Sequence, residues 1–66
     1  MQLTVNGQNL EIQEGLTLGQ FLAARDLRPQ MIVVERNGEI LRREAYDQTV
    51  LESGDSLEIV QMTAGG

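Results

Sequence analysis

Cysteine, histidine, lysine and tryptophan are all missing from these 66 residues. Without Cys there is no disulfide framework and no thiolate nucleophile, and without Cys or His there is no thiolate or imidazole metal site. Serine triads and histidine acid–base pairs lose their base. Positive charge is scarce as well: five arginines (Arg25, Arg28, Arg36, Arg42, Arg43) stand against ten Asp and Glu, a net charge of -5. An acidic chain with one Phe and one Tyr lacks the basic face that neutralises phosphates, so no nucleic-acid partner is expected. No apolar run approaches the ~18–20 residues of a membrane span, and no signal-type segment opens the chain. The expectation is a cytoplasmic protein with no membrane role.

What is present fits one small α+β domain. A chain of 66 residues with 41% hydrophobic residues can build a single thin core. A domain this size buries only about 60% of its unfolded surface. With no disulfide to staple it, stability must come from regular packing or from partners.

Residues 1–12 read as a β-hairpin. Met1, Leu3 and Val5 alternate, then Leu10 and Ile12, with Asn6-Gly7 between them, and Asn-Gly suits a two-residue type I′ loop. That loop sets Leu3 opposite Leu10 and Val5 opposite Gln8, which brings the apolar sides together. Thr17 and Gln20 fit a helix capping box, and Leu18, Phe21 and Leu22 share one helical face. Pro29 should end that helix by about Asp26 or Leu27. Met31-Ile32-Val33-Val34-Glu35 reads as a strand, and Asn37-Gly38 turns it into Glu39-Ile40-Leu41, setting Arg36 opposite Glu39 as an opposite-charge pair. Residues 42–52 read as an irregular connection with one short turn. Ser53-Gly54-Asp55 marks a tight turn before a last strand at 56–61, with Leu57 and Ile59 on one face. The order β-β-α-β-β-β predicts a mixed sheet of about five strands with the helix covering one face. Leu18, Phe21, Leu22, Ile32, Val34, Leu57 and Ile59 are the expected core.

Two features carry functional weight. The first is the ending, Gly65-Gly66, on a short tail at 62–66 that follows the domain at 1–61. At about 7% glycine usage, such an ending arises by chance in about 0.5% of chains. Glycine can adopt almost any φ and enter a narrow channel, and five extended residues reach about 17 Å. The α-carboxylate, with a reference pKa of ~3.3–3.7, is ionised at neutral pH. It is a usable nucleophile towards an ATP phosphate, and adenylation would turn it into an acylating agent for sulfide, thiol or amine. The second feature is the outward side of the sheet, which should carry Val33, Ile40, Val60 and Met62 as a docking patch beside the tail. Isolated exposed apolar residues are also normal. The acidic residues read as a solvated face that steers the chain towards a basic partner. Asp47, Thr49 and Glu58 fit parts of an EF-hand loop, but Leu51 and Glu52 stand where it needs an oxygen ligand and a glycine.

Together the element order, the Gly54-Asp55 turn and the terminal Ala64-Gly65-Gly66 resemble the ubiquitin-like β-grasp sulfur carriers. The opening Met1-Gln2-Leu3-Thr4-Val5-Asn6-Gly7, the stretch Leu41-Arg42-Arg43-Glu44-Ala45-Tyr46 and the ending Val60-Gln61-Met62-Thr63-Ala64-Gly65-Gly66 are similar to the ThiS-type carriers of thiamine biosynthesis. Arg42 stands where such carriers commonly show a proline, while Arg43 and Tyr46 fit. The resemblance implies that a ThiF-like adenylating enzyme, using ATP and Mg²⁺ that it holds itself, adenylates Gly66. Sulfur from a cysteine desulfurase or another persulfide donor would then give a thiocarboxylate, and a ThiG-like thiazole synthase would take that sulfur. Gly65 and Ala64 carry over as the recognised tail. On this reading the chain is no enzyme and binds no cofactor or metal itself. The same fold and ending suit a MoaD-like carrier for molybdopterin and a ubiquitin-like protein modifier. An inert tail on a plain binding module is the remaining alternative.

Overall fold

Two Asn-Gly steps fix the hairpins. Asn6 (φ 50) and Gly7 (φ 82), then Asn37 (φ 52) and Gly38 (φ 87), all take the left-handed conformation that a type I′ loop demands at both central positions. In the computed structural model, which describes residues 1–62, β1 (Gln2–Val5) and β2 (Gln8–Glu11) pair antiparallel with Leu3 opposite Leu10 and Val5 opposite Gln8. That is the register the turn dictates. The Ile12 N–H extends the pairing by donating to Met1 O at 2.8 Å. The second hairpin joins β3 (Ile32–Arg36) to β4 (Glu39–Ile40), with Arg36 opposite Glu39. Its strand begins and ends one residue later than the sequence suggests, because Pro29–Met31 forms a 3₁₀ turn. The last strand, β5 (Ser56–Gln61), runs parallel to β1 and antiparallel to β3, giving the sheet order β2-β1-β5-β3-β4. The final strand therefore lies at the centre of the sheet. Beyond Met62, the expected tail lies outside the described residues.

Helix α1 (Leu18–Ala24) starts at the predicted capping box. The Gln20 N–H donates to Thr17 Oγ1 at 3.1 Å, and the Thr17 N–H donates to Gln20 Oε1 at 2.9 Å. Its end falls within the expected limit, at Ala24, but Pro29 is not what stops it. Asp26 turns left-handed (φ 61), its N–H donating to Ala23 O at 3.1 Å, while the Leu27 N–H donates to Leu22 O at 2.9 Å. This is a Schellman stop with Asp where glycine is usual.

Leu3, Leu18, Phe21, Leu22, Ile32, Val34, Tyr46, Leu51 and Leu57 form the buried core between helix and sheet. Ile59, expected among them, is only half-buried and packs against the edge of this core. Tyr46 and Leu51 come from the segment read as irregular. Arg43–Gln48 is a 3₁₀ stretch that sends Tyr46 inward. A Cβ on Gly19 would run into the Asp47 carboxylate, so the absent side chain lets this stretch close against the helix.

Asp55 is the one buried charged residue among those described. Its carboxylate accepts from Arg36 Nε at 2.9 Å, Asn37 Nδ2 at 3.0 Å and the Glu52 N–H at 2.9 Å. The sequence pairs Arg36 with Glu39, and the register does set them opposite. The guanidinium nevertheless turns to Asp55, and to Glu52 at 3.3 Å, because a buried carboxylate needs a partner and exposed Glu39 is satisfied by water. Burial pushes the Asp55 carboxyl up, but the Glu52 N–H, the Asn37 amide and the Arg36 guanidinium together outweigh it and hold its pKa below the ordinary 3.8.

No helix among the described residues is long and apolar enough to cross a membrane. Two stability outcomes follow from the geometry. A lowered folded-state pKa stabilises the fold fully above the ordinary carboxylate range, and that contribution is lost as pH falls through the folded value. Asp55→Asn should cost about 1–3 kcal/mol at neutral pH by leaving donors unpaired. It should also flatten the acid limb of stability, as read by urea unfolding across pH. An unchanged acid limb would separate Asp55 from the pH dependence. Asp26→Gly should stabilise the fold by about 0.5–1 kcal/mol by relieving the left-handed strain, measured by thermal unfolding.

Candidate functional site

Leu57 on β5 is buried and Ile59 half-buried, whereas Glu58 and Val60 face away from the helix. On neighbouring β3, Ile32 and Val34 are buried and Val33 faces out. The β3–β5 register sets Val33 directly opposite Val60 and Glu35 opposite Glu58. Both pairs lie on the sheet face that the helix does not cover. The Met62 N–H donates to Met31 O at 2.7 Å, so the backbone stays tied to the sheet one residue beyond β5. Val60 is 61% exposed, Met62 45% and Val33 38%. These three form a stripe that ends at Met62, the last described residue. Ile40, at 68% the most exposed of the predicted patch residues, sits across β3 opposite Glu35. The structure thus gathers three of the four and sets the fourth to one side, behind a carboxylate. Gly66, Gly65 and Ala64 lie outside the described residues.

A cleft of about 260 Å³ opens on the helix side of the sheet, with Val5, Leu10, Leu27, Ile59, Arg25 and Gln61 among its walls. The Arg25 guanidinium carbon lies 5.2 Å from the Phe21 ring centroid, within the range of a cation–π contact. The sequence reading missed this cleft. Its floor is made of Val5, Leu10, Leu27 and Ile59, which are only partly buried at the edge of the core, a distinction that alternation alone does not make. Every buried side-chain nitrogen or oxygen among the described residues has a hydrogen-bond partner. None of those residues gather into a group of three or more His, Cys, Asp or Glu able to hold a metal ion.

Known proteins place this geometry. The chain matches the ThiS family over residues 2–66. It is 34% identical over 65 residues to the sulfur carrier protein ThiS of Bacillus subtilis, covering 97% of this chain and 98% of that one. It is 33% identical over 66 residues to a thiazole synthase of Paramagnetospirillum magneticum, covering all of this chain but only 20% of that protein. The chain therefore spans about a fifth of the length of such synthases. The crystal structure of the thiamine biosynthesis protein ThiS from Geobacter metallireducens superposes with a TM-score of 0.85 at 38% identity, covering 100% of both chains.

The two faces of the sheet should respond differently to substitution. Val60→Ser should leave unfolding free energy within about 0.5 kcal/mol of the parent, as for a surface position. Leu57→Ala, three residues earlier and wholly buried, should cost about 2–5 kcal/mol. Urea titration of both variants checks the assignment, and a comparable loss in both would mean that the outer face is packed.

Proposed function

Since this chain belongs to the ThiS family of thiamine-biosynthetic sulfur carriers, we propose that it carries sulfur as a thiocarboxylate on Gly66 and gives it up to the thiazole ring of thiamine. The observation that supports this most directly is the reach of the family match, which runs through Gly66 itself. The Gly66 carboxylate attacks the α-phosphorus of ATP, expelling pyrophosphate and leaving an acyl adenylate. Hydrosulfide attack on the acyl carbon then releases AMP and yields the thiocarboxylate. Where the donor is a persulfide, attack gives an acyl disulfide, which a second thiol cleaves to thiocarboxylate and a new disulfide.

ATP and Mg²⁺ belong to a ThiF-like adenylating enzyme, and the sulfur comes from a cysteine desulfurase or a similar persulfide donor. Gly65 and Ala64, lacking bulk, let the tail enter that enzyme's active site. Val33, Val60 and Met62, with Ile40 beside them, are the surface on which partners dock. A ThiG-like thiazole synthase is the acceptor. In two thiazole synthases a stretch resembling this whole chain makes up 20% of the polypeptide. Carrier-like and synthase segments on one chain meet at high effective concentration, which suits a donor and its acceptor.

Incubation with the adenylating enzyme, ATP, Mg²⁺ and a sulfide source should raise the intact mass by the difference between sulfur and oxygen. A variant lacking Gly66, or extended by one residue beyond it, should show no gain. Equal gain in the extended variant would rule out the terminal-carboxylate mechanism. Rescue of a deletion strain by supplied thiazole, and not by molybdopterin, assigns the pathway.

A further inference from the structure

The outer face of the sheet carries an electrostatic conflict. Glu35 and Glu58 stand directly opposite each other across β3 and β5, and like charges in that position destabilise a sheet. Among the described residues no arginine pairs with either carboxylate. Arg36 turns to Asp55 and Glu52, Arg42 to Glu44, and Arg43 donates to Pro29 O. Arg25 lies over the Phe21 ring, and Arg28 precedes the 3₁₀ turn at Pro29. Among the described residues, neither Glu35 nor Glu58 forms an ion pair. One position along the same two strands, on the same face, is the exposed Val33–Val60 pair.

We propose that this face docks a protein surface on which an arginine stands beside an apolar contact. The guanidinium bridges the Glu35 and Glu58 carboxylates while the apolar group covers Val33, Val60 and Met62. Its planar fork of five donors suits two carboxylates side by side better than an ammonium does. The inference rests on the carrier reading above and adds the charge of the partner and the two residues that select it. The arrangement gives a carrier a simple economy: repulsion tolerated in the free state is relieved only in the complex, so the face favours a cationic partner and resists pairing with another copy of itself.

The test measures binding of the full chain to the adenylating enzyme across a range of salt concentrations, alongside thermal unfolding of each variant. Glu35→Gln/Glu58→Gln should weaken binding at low salt on the order of tenfold and flatten the salt dependence. Val60→Ser should weaken binding equally at all salt concentrations. Glu58→Arg should weaken binding further, yet raise the melting temperature by about 1–5 °C, since it replaces a repulsive cross-strand pair with an attractive one. Glu14→Gln removes one negative charge, half the change in the double variant, in the β2–α1 loop and should leave binding near the parent value. Opposite movement of stability and affinity in Glu58→Arg supports the proposal, because a purely structural role would lower both. An unchanged salt slope in the double variant, or an equal loss in Glu14→Gln, overturns it while adenylation of the parent leaves the carrier reading standing. Failure of the parent to be adenylated removes both.

Discussion

The carboxylate of Asp55 is the point through which the sheet is assembled. It closes its own turn by accepting the Glu52 N–H, and it holds the second hairpin through Asn37 and Arg36. Asn37 returns the contact, its Oδ1 accepting the Ser56 N–H at 2.9 Å. On the other side of the same turn, the Thr4 N–H donates to Asp55 O at 2.9 Å, and the Gly54 N–H donates to Gln2 O at 2.8 Å. One short turn therefore grips β1 and the β3–β4 hairpin at once and feeds β5 between them. Satisfied buried polar groups specify geometry in a way that apolar packing does not. Here they specify register, and a slip of one residue would turn every β5 side chain to the opposite face.

Register is what links this turn to function. With β5 locked between β1 and β3, Val60 meets Val33, Glu58 meets Glu35, and Met62 is tied to Met31. A second polar clasp works at the far strand. The Asn6 side chain accepts the Ile59 N–H at 2.7 Å and donates to Ile59 O at 3.2 Å, so the first hairpin turn holds the middle of β5. The sequence separation of 53 residues between these partners makes the central strand the most non-local part of the fold and the last that local propensity could fix.

Legibility in the sequence follows the same division. Both hairpins, the capping box and the bounds of β5 were readable because each rests on neighbours in the chain: Asn-Gly loops, Thr17 with Gln20, and alternation at 56–61. Exposure of Val33, Ile40, Val60 and Met62 was readable for the same reason. Long-range features were not. The turn of Arg36 away from Glu39 depends on the burial of Asp55, the inward placement of Tyr46 on how the 3₁₀ stretch meets Gly19, and that of Leu51 on its N–H bond to Leu16 O. The Glu35–Glu58 opposition exists only once the β3–β5 register is known. The place where the helix stops was readable but its cause was not, since the reading looked to Pro29 for termination and glycine is the usual left-handed residue. Gly65 and Gly66 were identified by composition and resemblance, independently of any coordinates.

A sheet covered by a helix on one face only has a consequence for a domain this small. Leaving the outer face bare forgoes burial that a marginal domain could use, and the fold compensates with polar clasps at the start and in the middle of its central strand rather than with a second layer. On the docking proposal above, the bare face is also held back from permanent occupation. Val33, Val60 and Met62 make a narrow stripe, the flanking carboxylates repel a second copy, and Ile40 is separated from the stripe by Glu35. Stable obligate interfaces bury upwards of about 2,000 Å² and are largely apolar, whereas the stripe here consists of three exposed apolar residues. Under the function proposed above, a carrier that loads on one enzyme and unloads on another needs contacts that form and release. The combination of a rigid central strand, a thin apolar stripe and an unneutralised carboxylate pair meets that need without any moving part within the described residues.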